Sequence, residues 1–228
     1  MLIGTSANEK LKNSHIAIFG IGGVGGYAVE ALCRAGIGEL TIVDGDVITE
    51  TNLNRQIIAT NDTIGRSKVA VMEERIKSIN PLAVVHPHHC FALPGAVMEK
   101  FDFGDFDYVI DAVDTVALKI ELVMRAKQAG VSIISSMGTG NKLDPNQLMV
   151  ADIYETSVCP LARVMRRELR ARGIENLEVV YSKEEPIKCV PVAQFDDEPN
   201  RRSPGSISFV PSSAGLLLAA MVVRRLMG

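Results

Sequence analysis

The chain has 228 residues, 47% of them hydrophobic, and a formal net charge of −3. That length suits one large domain with a substantial core. The acidic balance excludes a protein that holds polyanions through a global basic excess, although a local basic patch stays open. In chain order, the apolar run from His15 to Phe19 predicts a buried strand. Gly23 to Ala35 carries Val24, Ala28, Ala31, Leu32 and Ala35 at helical spacing and stops at Gly36. Leu40 to Val43 predicts a second strand, so the three elements form a βαβ unit with a right-handed crossover. Ile64 to Ile79 reads as a helix that ends before Pro81, and Ala83 to His86 as a third strand. Tyr108–Ile110, Val116–Ala129 and Val131–Ile134 repeat the strand–helix–strand order. Such alternation implies an α/β fold, Rossmann-like and doubly wound around a mostly parallel sheet.

The pattern changes near Gly138. Residues 138–145 are turn-rich, and Leu148 to Ile153 reads as a strand outside the strict alternation. Pro160 to Arg172 predicts a helix, with Pro in its first turn and Gly173 beyond its end. Asp196 to Ser206 reads as a polar, mobile loop, and Ala214 to Val223 as a buried C-terminal helix too short to span a bilayer. We therefore expect a single domain over 1–228, with a nucleotide-binding core at 11–140 and a C-terminal extension of strands and helices at 141–228. The N-terminus shows no basic-then-apolar leader. The four cysteines, Cys33, Cys90, Cys159 and Cys189, form no CxxC pair. This usage excludes a thioredoxin-like motif and a zinc site built from close pairs, and it fits a reducing, cytoplasmic compartment with no membrane partner.

Gly20, Gly22 and Gly25 fit G-x-G-x-x-G between a strand and a helix, and Gly23 lies within the loop. Such a loop allows a tight turn and brings backbone N–H groups to a phosphate at the positive end of a helix. Asp44 ends the next strand, about twenty residues further on, where a carboxylate reaches ribose hydroxyls. Alone, this serves a dinucleotide-dependent dehydrogenase as well as an ATP-using enzyme. Asp46, Asn52, Asn54, Arg55, Gln56, the stretch Gly65-Arg66-Ser67-Lys68 and the stretch Asp111-Ala112-Val113-Asp114 add what hydride transfer does not need. Arg55 and Lys68 are placed to clamp a triphosphate, and Asp114 to hold Mg²⁺ beside it.

Taken together, these motifs resemble the ThiF/MoeB/E1 superfamily of adenylating enzymes, over Leu11 to about Gly140. The resemblance implies that Asp44 binds ribose and that Asn52, Arg55, Gln56 and Lys68 contact the phosphates of ATP. It implies that Asp114 coordinates Mg²⁺. Arg55, Lys68 and Asp114 would then carry catalysis, with Gly20, Gly22, Gly23, Gly25 and Asp46 completing the cofactor site. Where the superfamily often has Asp-Asn, this chain has Asp114-Thr115, so Thr115 inherits no role. The superfamily also carries an arginine upstream of the glycine loop that reaches the partner subunit's ATP. No arginine precedes Arg34 here, and weakened adenylation is the corresponding expectation.

The second half resembles one branch of that superfamily, the tRNA threonylcarbamoyladenosine dehydratases. The resemblance rests on residues 135–145, 151–157, 159–167, 180–183 and 205–211. It implies ATP-dependent cyclisation of the threonylcarbamoyl group on a tRNA adenosine beside the anticodon, by carboxylate adenylation and intramolecular ring closure. It also implies a homodimer, a monovalent cation near the dimer interface, and a sulfur-transfer partner system that includes a cysteine desulfurase. Besides the dinucleotide-dependent dehydrogenase, which ranks last, two alternatives stay open on the residues alone. One is adenylation of the C-terminal glycine of a small ubiquitin-like or sulfur-carrier protein, against which the missing CxxC pairs count. The other is a nucleotide-sensing module without turnover.

Arg163, Arg166, Arg167 and Arg170 fall at i, i+3, i+4 and i+7 on one helix face, and Arg201 and Arg202 add charge in the polar loop. They form the expected tRNA contact; the competing reading is a solvated face partly paired with Glu168. His86, His88 and Cys90 share one face of their expected strand and read as a polar strand end rather than a metal site. Cys159 precedes a helix N-terminus and reads as structural. Lys142 and Asp144 either line the site or shape their turn.

Overall fold

The computed structural model describes residues 2–92, 95, 98–188 and 204–228. Its strands are β1 (His15–Phe19), β2 (Glu39–Val43), β3 (Val84–His88), β4 (Tyr108–Asp111), β5 (Ser132–Ser136), β6 (Leu148–Asp152) and β7 (Glu178–Ser182). Its helices are α1 (Gly4–Lys12), α2 (Gly25–Ala35), α3 (Lys68–Ile79), α4 (Val116–Ala129), α5 (Pro160–Ala171) and α6 (Phe209–Met227). The seven strands form one sheet in the order β3-β2-β1-β4-β5-β7-β6. All neighbours are parallel except the β6–β7 pair at one edge. The direction of winding reverses between β1 and β4, and in such sheets a crevice opens there beyond the strand C-termini.

Alternate residues of the central strands feed two cores. Ile16, Ile18, Leu40, Ile42 and Ile110 meet α1, α2, α3 and α6 on one face. Ala17, Phe19, Val43 and Val109 meet α4, α5 and the phenylalanines at 101, 103 and 106 on the other. Contrary to the short helix expected at 214–223, α6 is long and apolar enough to cross a membrane by length and composition. Here it lies along α2, with Val210, Ala214, Leu218, Ala219 and Val222 buried between them and the sheet. The crossing is tight: a Cβ on Gly215 would stand 2.2 Å from the Val24 carbonyl oxygen.

Three further expectations need correction. The helix expected from Ile64 begins only at Lys68. Gly65 turns at φ +84°, and residues 65–66 bond instead to Ile48: Gly65 N–H donates to Ile48 O at 2.8 Å and Ile48 N–H to Arg66 O at 2.9 Å. That pairing aims Lys68 at the sheet end. A second correction is β7, a strand the periodicity did not reveal, which enters parallel to β5 and carries β6 antiparallel at the edge. The third is α1, which was not anticipated and sends Leu11 into the core. The polar loop expected at 196–206 lies largely outside the described residues, as do Arg201, Arg202 and Cys189.

Candidate functional site

A cavity of about 830 Å³ opens at the C-terminal ends of β1, β2, β4 and β5, a volume typical of small-molecule sites. Its wall includes Gly20, Gly22, Gly23, Asp44, Asp46, Asn52, Arg55, Gln56, Lys68 and Asp114. The structure thus brings together nearly every residue expected for the nucleotide site. Gly25 is the exception. It stands behind the loop, where a Cβ would fall 1.8 Å from the Gly20 carbonyl oxygen, so it packs the first turn of α2 and does not line the cavity. Gly20 itself has φ +89°, a region that favours glycine.

The N-terminus of α2 faces this space with no side-chain cap, although Gly26 N–H in its first turn donates to Gly22 O at 2.9 Å. Val24, at the N-cap, makes no side-chain cap bond, and the first turn contains no acidic residue. A helix end in that state leaves N–H donors and a partial positive charge for an anion. Asp44 braces the loop: its two carboxylate oxygens accept from Ile21 N–H at 2.7 Å and from Asp46 N–H at 2.9 Å. Each oxygen retains a lone pair for a sugar hydroxyl.

The cationic side is made by Lys68 and Arg55. Lys68 is buried, with Nζ 2.7 Å from Asp46 Oδ2 and 3.8 Å from Asp44 Oδ1. Arg55 donates from Nη1 to Thr51 O and to Asn54 Oδ1, both at 2.9 Å. Asn52 is buried and accepts from Thr49 N–H, which fixes the turn that carries Arg55. Asn54 is turned away and donates to Ser206 O at 2.9 Å. Gln56 is buried too, and its Oε1 has no hydrogen-bond partner among the described residues. A buried orphan acceptor on a cavity wall is the kind of atom a ligand donor satisfies. Asp114 is exposed at the mouth and accepts from the Thr115 hydroxyl at 3.2 Å.

Beneath Asp114 lies a network that sequence reasoning missed. Lys119 and Asp111 are both fully buried. Lys119 Nζ reaches both Asp111 oxygens at 3.1 Å, Ser135 Oγ at 3.3 Å and Ser136 O at 2.7 Å. Asp111 also accepts from Ser135 Oγ and from Val113 N–H. The pair therefore holds the loop 112–114 to the end of β5.

Several of the other expected residues make contacts within the protein. On α5, Arg166 bonds Thr156, Arg167 and Arg172 pair with Glu168, and Arg170 stacks 5.0 Å over Tyr154. Arg163 is exposed, whereas Arg166 is half-buried and spends Nη1 on Thr156 O. Cys159 is 2% exposed at the N-cap of α5, in agreement with a structural role. Cys90 lines the cavity, and burial pushes its thiol up, away from the thiolate form. Lys142 and Asp144 shape their turn: Lys142 bonds Glu184 O, and Asp144 accepts from Asn146 N–H.

Fold and cavity together define a doubly wound α/β protein whose switch-point cavity is walled by two cationic side chains, Arg55 and Lys68, with Asp114 at the rim. The chain belongs to the ThiF family, whose model matches residues 1–228. It is 41% identical over 235 residues to a tRNA threonylcarbamoyladenosine dehydratase of Bacillus subtilis, an alignment covering all of this chain and 92% of that protein. It is 39% identical over 170 residues to the Escherichia coli protein of that name, covering 75% of this chain and 63% of the relative. Crystal structures of the Escherichia coli dehydratase with AMP and with ATP superpose with TM-scores of 0.87 and 0.86 at 32% identity. They cover 99% of this chain, and 91% and 90% of theirs.

Proposed function

We propose that this chain dehydrates N6-threonylcarbamoyladenosine in tRNA at the cost of ATP. The observation that carries the reading is the convergence of the open α2 N-terminus, Lys68, Arg55 and the unsatisfied Gln56 amide on one cavity beside Asp114. These residues fit a nucleoside triphosphate: the glycine loop and α2 take phosphate, Asp44 the ribose, and Lys68 and Arg55 the remaining phosphate charge. Asp114, with one oxygen already accepting from Thr115, offers the other to Mg²⁺, which when bound neutralises charge developing on the phosphates.

In the reaction, a carboxylate oxygen of the threonyl group attacks the α-phosphorus and pyrophosphate leaves. A nucleophile within the same modification then attacks the activated carbonyl carbon, a five-membered ring closes, and AMP departs with the oxygen. The tRNA product is lighter by one water. Ring closure is intramolecular, so positioning supplies much of its rate. No enzyme thiol is required; Cys90 is held as a thiol and Cys159 is buried.

The finer parts of the reading follow. Arg163, Arg167 and Arg170, with Arg201 and Arg202, contact tRNA phosphates. The chain acts as a cytoplasmic homodimer with a monovalent cation near the interface, and it works with a sulfur-transfer system containing a cysteine desulfurase. Residues 11–140 carry the nucleotide and 141–228 face the tRNA. The test is mass spectrometry of nucleosides from modified tRNA incubated with the protein and Mg-ATP. Loss of one water from threonylcarbamoyladenosine, dependent on ATP, is expected. Unchanged nucleoside together with pyrophosphate exchange that requires a Gly-Gly-ended carrier protein would overturn it.

A further inference from the structure

At the end of the sheet opposite the nucleotide cavity, three ligand-bearing side chains meet across three neighbouring strands. His15 begins β1, Glu39 begins β2, and His86 lies within β3. The parallel register sets His15 beside Glu39 and His86 beside Thr41. His86 Nε2 stands 2.8 Å from Glu39 Oε1, and His15 Nδ1 stands 3.7 Å from the same oxygen. One ligand atom from each of the three residues falls within 4.8 Å of the other two. A tetrahedral zinc with ligand bonds near 2.0–2.1 Å places its donors about 3.3 Å apart. Two of the three spacings bracket that value, and the third closes by a small swing of the exposed His86.

The site is also braced from behind. His15 Nε2 is 2.8 Å from the buried Thr41 hydroxyl, which leaves Nδ1 turned toward Glu39. Its ring packs edge-on against Phe106, with centroids 5.0 Å apart, and its backbone N–H donates to Asp107 at 2.8 Å. A hydrogen bond to the far nitrogen is how metal-binding histidines are held in orientation. A plain surface ion pair between His86 and Glu39 needs none of this preparation and contributes little.

We propose that His15, Glu39 and His86 form a binding site for a divalent transition metal of the zinc type, with an outward position left for solvent. The site would staple the edge strand β3 to β2 and β1. The consequence reaches the nucleotide cavity, because β3 runs directly into Cys90, Phe91 and Ala92 on its wall. The metal itself lies about 13 Å away, the span of the five residues of β1. Its role is therefore to fix the strand and not to touch ATP.

The experiment uses the chelator-treated full chain without nucleotide, dialysed to equilibrium against micromolar zinc, with thermal unfolding as a second readout. One zinc per chain and a raised melting temperature are expected. His86→Ala and Glu39→Gln should each weaken zinc binding at least about tenfold, as loss of a supporting group alone does at other sites, and abolish the thermal shift. Asp114→Asn and His89→Ala should retain the zinc, since they lie outside the triad. Absence of zinc uptake, or uptake unaffected by His86→Ala and Glu39→Gln, would leave only the ion pair and overturn the proposal.

Discussion

The Asp111–Lys119 pair offers the sharpest test of how the active-site floor is held. Lys119→Met keeps an unbranched side chain, one heavy atom shorter, and removes its charge. Asp111 then retains Ser135 and Val113 N–H as donors but loses both bonds from the ammonium, while Ser136 O loses a 2.7 Å partner. Both members of the pair are fully buried, so no water replaces what is lost. Removing one partner of a buried ion pair costs about 3–5 kcal/mol, out of a total stability of about 5–15 kcal/mol. For a chain of this size the melting temperature should drop by roughly 6–20 °C. Thermal unfolding followed by circular dichroism measures it. The double variant Lys119→Met/Asp111→Asn removes the stranded charge and should recover part of the loss. A single variant within about 3 °C of the parent, which is under about 1 kcal/mol, would refute the reasoning. So would a double variant no more stable than the single.

Other outcomes follow from the same geometry. Gly25→Ala drives a Cβ into the Gly20 carbonyl and should destabilise by about 1–3 kcal/mol while weakening ATP binding at least tenfold by calorimetry; unchanged affinity would show that the loop tolerates the intrusion. Asp114→Asn should lower ATP-dependent turnover by about 10²-fold or more yet leave stability within about 0.5 kcal/mol, since the residue is exposed; full activity would remove it from the metal assignment. At Glu30, burial alone would raise the carboxyl pKa, but hydrogen bonds from Arg75 and Arg34 hold it below the ordinary value. A depressed folded-state pKa contributes stability that is present above the unfolded value and lost as pH falls through the folded one. The parent protein should therefore lose stability more steeply than Glu30→Gln below about pH 4.3, and parallel acid limbs in the two proteins would contradict this.

The wall of the cavity was legible because its parts follow one another along the chain. A strand, a glycine loop and a helix occur within one short stretch, and Asp44 ends the next strand. The helix at 64–79 was misplaced at its start for a reason periodicity cannot see: the backbone of residues 65–66 bonds to Ile48, more than a dozen residues back. Lys119 was overlooked because a lysine between Leu118 and Leu122 reads as part of a solvated helix face. Only the placement of α4 over Asp111 and Ser135 buries it. The histidines show the limit most clearly. His86, His88 and Cys90 looked like neighbours on one strand, yet β3 ends at His88, whose ring packs on Phe101 at 5.0 Å. The partners that meet His86 come from β1 and β2, and parallel register is not written in any one segment.

The charges in the cavity explain why so polar a site can exist without its ligand. A lysine with its side chain only 7% exposed requires a counter-charge. Asp46 supplies one at 2.7 Å from its rim position, half exposed, while Asp44 remains behind it at 3.8 Å, braced by the loop it holds. The two carboxylates therefore differ in freedom. Asp44 is fixed by two backbone N–H donors, whereas Asp46 is half exposed and free to swing into solvent. Under the proposed function, Asp44 would keep its geometry for a sugar, and an incoming triphosphate would meet a cation already desolvated and oriented and displace the Asp46 carboxylate, which would regain water as it leaves. Such exchange lowers the reorganisation needed on binding, the condition under which fixed charges act most strongly on a transition state.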